Sequence, residues 1–351
     1  MTQVLHTADV HLTPEDRVRM EALECVLDLA ESRDVDVVTI GGDLFDRPKD
    51  VDTLRTRLRN DHFSDRPFEI LLIPGNHDVE AFRGDVFFGE ACTVLTEEPF
   101  EHWTTRDGSL RITGVPYREQ PDNEFLLALQ DREPFDGPEA LLFHGSLDAP
   151  FDDYTTGDDE TYRYFPVTET LLSELDFEYF LAGHYHSPHK VRFENGSELT
   201  YPGSPASTST AETGRRQVSL LDPEDGIEFT SIDTYHYVSQ TFTATPGGER
   251  ELFESVRAWV GHNVTEHAEA AVTVDGFTDL GEEEFHRFLA AAATPARVRN
   301  ETRNVDHILS HPLYRSFENE LQRVDWDDEL TDQVTSRTLS VLSQLSAQGE
   351  I

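Results

Sequence analysis

Five short segments of this chain carry side chains able to hold cations or move protons, and each follows an apolar run. The first is Asp9-Val10-His11. Residues two apart on an extended chain point to the same side, so a carboxylate and an imidazole can reach one ion there. The second is Gly41-Gly42-Asp43-Leu44-Phe45-Asp46, where glycine lets the backbone turn sharply and the two oxygens of Asp43 can bridge two metals. In Pro74-Gly75-Asn76-His77-Asp78 the Asn carbonyl is a neutral oxygen ligand, and the neighbouring His is free for proton transfer. Phe143-His144-Gly145 and Gly183-His184-Tyr185-His186 each place imidazole at the end of an apolar run. Each segment alone has an ordinary reading as a turn Asp, an N-cap Asn or a packed His. All five in this order point to one composite site.

The elements that must position these residues are legible as short apolar runs alternating with stretches of helical period. Runs at 4–8, 35–40, 68–73, 140–143 and 179–182 read as the strands that precede the motifs. Ala22, Leu23, Val26, Leu29 and Ala30 mark one face of a helix between the first two. Further strands are expected at 191–193, 199–201, 218–221 and 227–232, which closes a first domain near residue 237. After Thr245-Pro246-Gly247-Gly248 the pattern resets. Residues 240–302 read as a small α+β domain, with helices at about 249–260 and 282–293, alternation through 268–274, and Arg297-Val298-Arg299 alternating again. Residues 303–351 read as a helical segment, with Leu330, Val334, Val341, Leu342 and Leu345 along one apolar stripe suited to a partner or to self-association. Open α/β sheets bind ligands beyond the carboxyl ends of their strands, and the five motifs all fall there.

The five motifs resemble those of the calcineurin-like metallophosphoesterases. That resemblance implies an α/β fold, a four-layer α/β/β/α sandwich with a smaller C-terminal α+β cap and a helical tail. It implies two divalent metal ions, one held by Asp9, His11 and His186, the other by Asn76, His144 and His184, with Asp43 bridging. It also implies His77 as proton donor and Asp46 as its orienting carboxylate. The mixed oxygen and nitrogen set suits Mn2+, while Fe, Zn or Co can also fit. The implied reaction is in-line attack of water on a phosphodiester.

Further segments narrow the resemblance to the SbcD-like branch of DNA double-strand-break repair nucleases. These are the opening Leu5-His6-Thr7-Ala8-Asp9-Val10-His11-Leu12, Gly114-Val115-Pro116-Tyr117, and Tyr201-Pro202-Gly203-Ser204-Pro205 followed by Arg215-Arg216. The α+β segment sits where that branch carries its DNA-binding cap. DNA as substrate, an SMC-like ATPase partner and a homodimer are the corresponding expectations, with Arg215 and Arg216 as candidate substrate-binding residues and Arg297, Arg299 and Arg303 as further DNA contacts. One departure is Asp46, where many archaeal and eukaryotic members have histidine and the bacterial type has aspartate. Two other function classes remain open at this point. One is a phosphodiesterase for small nucleotides, which needs no cap; the other is a scaffold subunit that keeps the fold without turnover.

Charge is the main tension in a DNA-binding reading. The chain has 69 acidic against 28 basic residues, a net charge of −41, and only two lysines, Lys49 and Lys190. The acids are spread through the whole chain, which fits a surface adapted to molar salt better than a disordered acidic tail. At about 1 M ionic strength the Debye length falls to roughly 3 Å, so such repulsion is largely screened. In such salt the counterion-release gain of DNA binding is mostly lost, and affinity must come from metal–phosphate bonds and specific arginines. Two cysteines, Cys25 and Cys92, are too few for a disulfide framework. With no long apolar span and no leader, the expectation is a soluble protein of a salt-rich cytoplasm with no membrane association. His6, Trp259 and Trp326 read as core, Asp78 as a structural acceptor, and His189 is unassigned.

Overall fold

The computed structural model describes residues 2–84, 86–148, 164–349 and 351. The chain divides into two compact units, Met1–His236 and Tyr237–Ile351.

The first unit is built on two six-stranded sheets. One contains β1 (Val4–Thr7), β2 (Val37–Ile40), β3 (Glu69–Leu72), β4 (Cys92–Val94), β11 (Gln217–Asp222) and β12 (Gly226–Ser231), in the order β12-β11-β1-β2-β3-β4. The other contains β5 (Glu101–Thr104), β6 (Arg111–Gly114), β7 (Glu139–His144), β8 (Tyr179–Gly183), β9 (His189–Arg192) and β10 (Glu198–Tyr201), in the order β5-β6-β7-β8-β10-β9. Val4, Val37, Leu71 and Ile73 from the first sheet meet Ile112, Ala140, Leu142 and Leu181 from the second in a fully buried layer. Helices cover the outer faces. The helix α1 (Arg17–Ser32) buries Met20, Leu23, Val26, Leu27 and Ala30 at helical spacing, and α2 (Asp50–Arg57) adds Val51 and Leu54. On the other side α3 (Asn123–Gln130) and α4 (Glu169–Ser173) contribute Phe125, Leu129 and Leu172. This is the expected α/β/β/α layering. Strands β4 to β6 escaped the sequence reading because none of them carries a continuous apolar run.

Strand direction is what gathers the motifs. β1, β2 and β3 are mutually parallel, as are β6, β7 and β8. Parallel neighbours end on the same edge of a sheet, so residues just past β1, β2, β3, β7 and β8 emerge together.

In the second unit β13 (His236–Ala244), β14 (Ala268–Thr278) and β15 (Arg297–Asn300) form a sheet, with β16 (Arg303–Asn304) also paired to β14. Helices α5 (Glu249–Asn263) and α6 (Glu282–Ala293) bury Leu252, Val256, Val260, Phe285 and Leu289 against Val272 and Val274. Residues 303–351 do not stand apart from this sheet. Through α7 (Asp306–Leu309), α8 (Pro312–Leu321) and α9 (Asp328–Ala347), Ile308, Tyr314, Leu339 and Leu342 pack with Phe277 of β14. The expected apolar stripe of α9 therefore splits. Leu342 is buried and Leu345 partly so within the unit, while Leu330 and Val341 are exposed. Trp259 packs beside Phe242 in the sheet core, but Trp326 is 43% exposed and is not the core residue expected.

Candidate metal centre

The loops after β1 and β2 are laced together by their main chains. Gly41 N–H donates to Thr7 O, Asp9 N–H to Gly42 O, His11 N–H to Asp43 O and Leu12 N–H to Leu44 O, at 2.8–3.1 Å. Asp9, His11 and Asp43 are thereby fixed relative to one another before any side-chain contact is counted. Asp9, His11, Asp43 and His184 all have positive φ, at 55°, 51°, 51° and 111°. Non-glycine residues persist in such sparsely populated conformations, at about 1–3 kcal/mol each, only where the surroundings over-determine them. The surroundings here are tight. A Cβ on Gly42 would collide with the His144 ring, and one on Gly75 with the Asp43 carboxylate.

The side chains converge in two groups about Asp43. In one, the Nε2 atoms of His11 and His186 approach to 3.1 Å, with Asp9 beside them. In the other, His144 Nε2 lies 2.9 Å from Asn76 Oδ1 and 3.3 Å from Asp43 Oδ2, and the rings of His144 and His184 are 5.4 Å apart. The same Asp43 oxygen is 3.9 Å from His11 Nε2, which puts it between the groups. His144 Nδ1–H donates to Gly41 O at 2.8 Å, so its Nε2 is the atom left to ligate. His184 Nε2 is buried with no hydrogen-bond partner.

These observations fit two divalent cations. The imidazoles of His11 and His186 aim their Nε2 atoms at one another from 3.1 Å, an orphaned buried ring nitrogen needs a donor or a cation for its lone pair, and three buried carboxylates need counter-charge. Burial raises the Asp9 carboxyl to about 6, against the lowering effect of His144 and His186. Asp78 is pushed to about 7 by burial and by the charge of Asp43. Burial would raise Asp43 as well, but the adjoining His144 imidazole holds it well below the usual carboxylate range. Burial and the charge of His144 depress His184 to about 3. A cation between these groups would supply positive charge to the buried carboxylates while leaving the imidazoles neutral as ligands.

Around this centre Asp78 fills the structural-acceptor role expected of it, and other residues take roles that the sequence did not reveal. Asp78 accepts from Phe45 N–H at 3.0 Å and Gly75 N–H at 2.8 Å, tying the second and third motif loops together. His77 donates its main-chain N–H to Asp43 at 2.8 Å, and its Nδ1 lies 3.2 Å from the main-chain O of Asp46. The Asp46 carboxylate is not directed at His77. It accepts from Arg19 at 3.0 Å and stands 3.9 Å from His11 Nδ1, so the expected orienting contact is made by the backbone of Asp46 instead. Arg19 also donates to His11 O from its place on α1, one turn past the Asp16 N-cap.

Arg216 is a second correction. Its side chain is 1% exposed and donates to Ser204 O, Ser204 Oγ and His186 O, so it braces the last motif and is closed to substrate. Arg215 is exposed. In the second unit Arg297, Arg299 and Arg303 are exposed, the first two paired with Glu269 and Glu301. His6 is a core residue: it bonds to Thr39 Oγ1 and Ala182 O, and burial lowers it to about 4. His189 lies in β9 and is in none of the clusters of candidate ligands among the described residues.

The calcineurin-like phosphoesterase model matches residues 2–188, the stretch that contains every one of these converging ligands. The chain belongs to the calcineurin-like phosphoesterase family. Within that family it is 32% identical over 241 residues to the DNA double-strand break repair protein Mre11 of Haloferax volcanii, covering 63% of this chain and 49% of the relative. It is 24% identical over 295 residues to the Mre11 of Methanopyrus kandleri, covering 73% of this chain and 62% of the relative. The chain thus spans about half the length of the first relative. Among solved structures, TT1561 of Thermus thermophilus aligns with 66% of this chain and 98% of its own, at TM-score 0.43 and 18% identity. Among the described residues no helix is long and apolar enough to cross a membrane.

Proposed function

We propose that this calcineurin-like phosphoesterase is a two-metal DNA nuclease. The observation that carries this is the pair of imidazole groups on either side of one buried carboxylate, Asp43, at the carboxyl edge of two sheets. Asp9, His11 and His186 would hold one cation, Asn76, His144 and His184 the other, with Asp43 shared. Mn2+ is the ion this mixed oxygen and nitrogen set favours. Bound divalent cations supply Lewis acidity, an activated water and charge balance for in-line displacement at phosphorus. The chain's own contribution is orientation and proton transfer. The Asp46 carbonyl and the Asp43 bond to its main chain hold His77 beside the ligands, 4.8 Å from the His11 ring, where its imidazole can protonate a departing alkoxide.

DNA as the substrate rests on the similarity to proteins named for double-strand break repair. In the second unit, exposed arginines on β15 and β16 offer phosphate contacts that survive high salt. Association with an SMC-like ATPase and homodimer formation belong to the same reading, as does a salt-rich cytoplasm for a chain of net charge −41. End-labelled single- and double-stranded DNA incubated with MnCl2 in molar KCl tests it. Metal-dependent cleavage of DNA is expected; hydrolysis of a chromogenic phosphodiester without any cleavage of DNA would move the assignment to small phosphodiesters.

A further inference from the structure

Glu212 is fully buried, lies in the stretch between β10 and β11, and belongs to none of the motifs that supply ligands. Its Oε1 receives a hydrogen bond from His186 Nδ1 at 3.0 Å and another from Thr208 Oγ1. Its Oε2 receives one from Ser204 Oγ at 2.7 Å and one from Thr208 N–H at 3.0 Å. Arg216 stands 3.9 Å away and braces Ser204 and the His186 carbonyl, so the buried carboxylate has both hydrogen-bond donors and a counter-charge. A carboxylate so placed can only accept. The His186 proton must then sit on Nδ1, which leaves the Nε2 lone pair pointed at His11 Nε2, 3.1 Å away.

We infer that Glu212 is a positioning residue for the first metal: it selects the Nδ1–H tautomer of His186 and so keeps Nε2 available as a ligand. This rests on the two-metal reading above. Groups that orient a ligating imidazole in this way are typically worth about 10- to 100-fold in metal affinity. A hydroxyl or amide in the same place would not impose the tautomer, because each can donate as well as accept.

The test is a calorimetric titration of the full chain with MnCl2 in molar KCl, with Mn2+ spectra recorded by electron paramagnetic resonance. The wild type should bind two ions per chain and show an exchange-coupled pair, and His186→Ala should retain one. Failure of the wild type to bind two ions overturns the two-metal reading, and this inference with it. Glu212→Gln, which keeps size and shape, should weaken one site by about 10- to 100-fold and leave the other unchanged, replacing the coupled spectrum by that of isolated Mn2+ at equal loading. Ser204→Ala removes the hydroxyl bond to Glu212 Oε2 while leaving Oε1 on His186, and should bind both ions as the wild type does. Wild-type binding by Glu212→Gln, or an equal loss in Ser204→Ala, would overturn the proposal. So would loss of both sites with a lowered melting temperature in Glu212→Gln, since that describes a structural residue.

Discussion

The two groups of ligands on either side of Asp43 are supported in different ways. On the side of Asp9, His11 and His186 the supporting groups are charged: Glu212 holds His186, and the Arg19–Asp46 pair adjoins His11. On the side of Asn76, His144 and His184 the groups beside the ligand rings are neutral, and the carboxylates of Asp78 and Asp9 meet only main-chain N–H groups of its loops. His144 donates to the Gly41 carbonyl, and the rings of Tyr117 and Tyr164 lie 6.5 Å from His144 and 5.6 Å from His184. The neutral side is set by strand ends and glycine-rich backbone, whereas the charged side depends on side chains from α1 and the stretch before β11. The lesson is that one ligand group comes with the sheets, while the other needs charged side chains from separate parts of the chain to assemble. The first group should therefore be the more sensitive to single changes outside the ligands.

Removing the shared residue erases the comparison. Asp43→Ala should lose both ions and reduce turnover by at least about 10³-fold, the equivalent of several kcal/mol of charge stabilisation. Metal analysis and hydrolysis of a small phosphodiester check it; two retained ions with near-normal turnover would refute the ligand assignment.

His77 belongs to neither group as assigned, although its ring also lies close to His11 and Asp43. His77→Ala should keep both ions and lower the maximal rate by about 10²- to 10⁴-fold, the usual worth of a general acid. Parallel loss of metal and rate would make it a further ligand of the charged side.

The charged side can be probed through Asp46 and Arg19. Because the Asp46 backbone, not its carboxylate, meets His77, Asp46→Asn should preserve proton transfer and weaken only the ion near His11, by about 10-fold, as should Arg19→Gln. A Mn2+ titration separates the two ions. If Asp46→Asn instead reproduces the rate loss of His77→Ala with full metal occupancy, the carboxylate acts on His77 during turnover.

The smallest effect on either group is expected from deleting the chain after residue 323. All assigned ligands precede residue 187, so hydrolysis of a small phosphodiester should remain within about 2-fold, well under the 1.4 kcal/mol of a tenfold change. The second unit should suffer, since Leu339 and Leu342 leave the cluster around Phe277 and Tyr314, a loss of roughly 2–5 kcal/mol per buried leucine removed. Thermal melting checks the second outcome and a pull-down in molar salt checks association. Unchanged melting would mean that α9 does not support the fold of its unit.

Much of the neutral side was legible in the sequence. An apolar run that ends in a polar ligand, after a glycine at Asp43, Asn76 and His184, is a local pattern, and parallel pairing carries each such ligand to the same sheet edge. Asp9, His11, Asp43, Asn76, His144, His184 and His186, from both sides, stood out in motifs that follow apolar runs, the family resemblance implied their division between two metals, and the sheet topology brings them together. Tertiary structure alone decided the supporting contacts. Arg19 and Asp46 are 27 residues apart, and His186 and Glu212 are 26 apart across a strand pair. No period links such positions, and an acid or arginine in a chain with 69 acidic residues carries no signal of burial. The same holds for Arg216, whose sequence context suggested an open basic pair, and for α9, whose stripe could face a partner or its own unit. Which polar groups end up buried depends on how loops close over a finished core, because a buried charge is tolerated only where donors and counter-charge already wait for it.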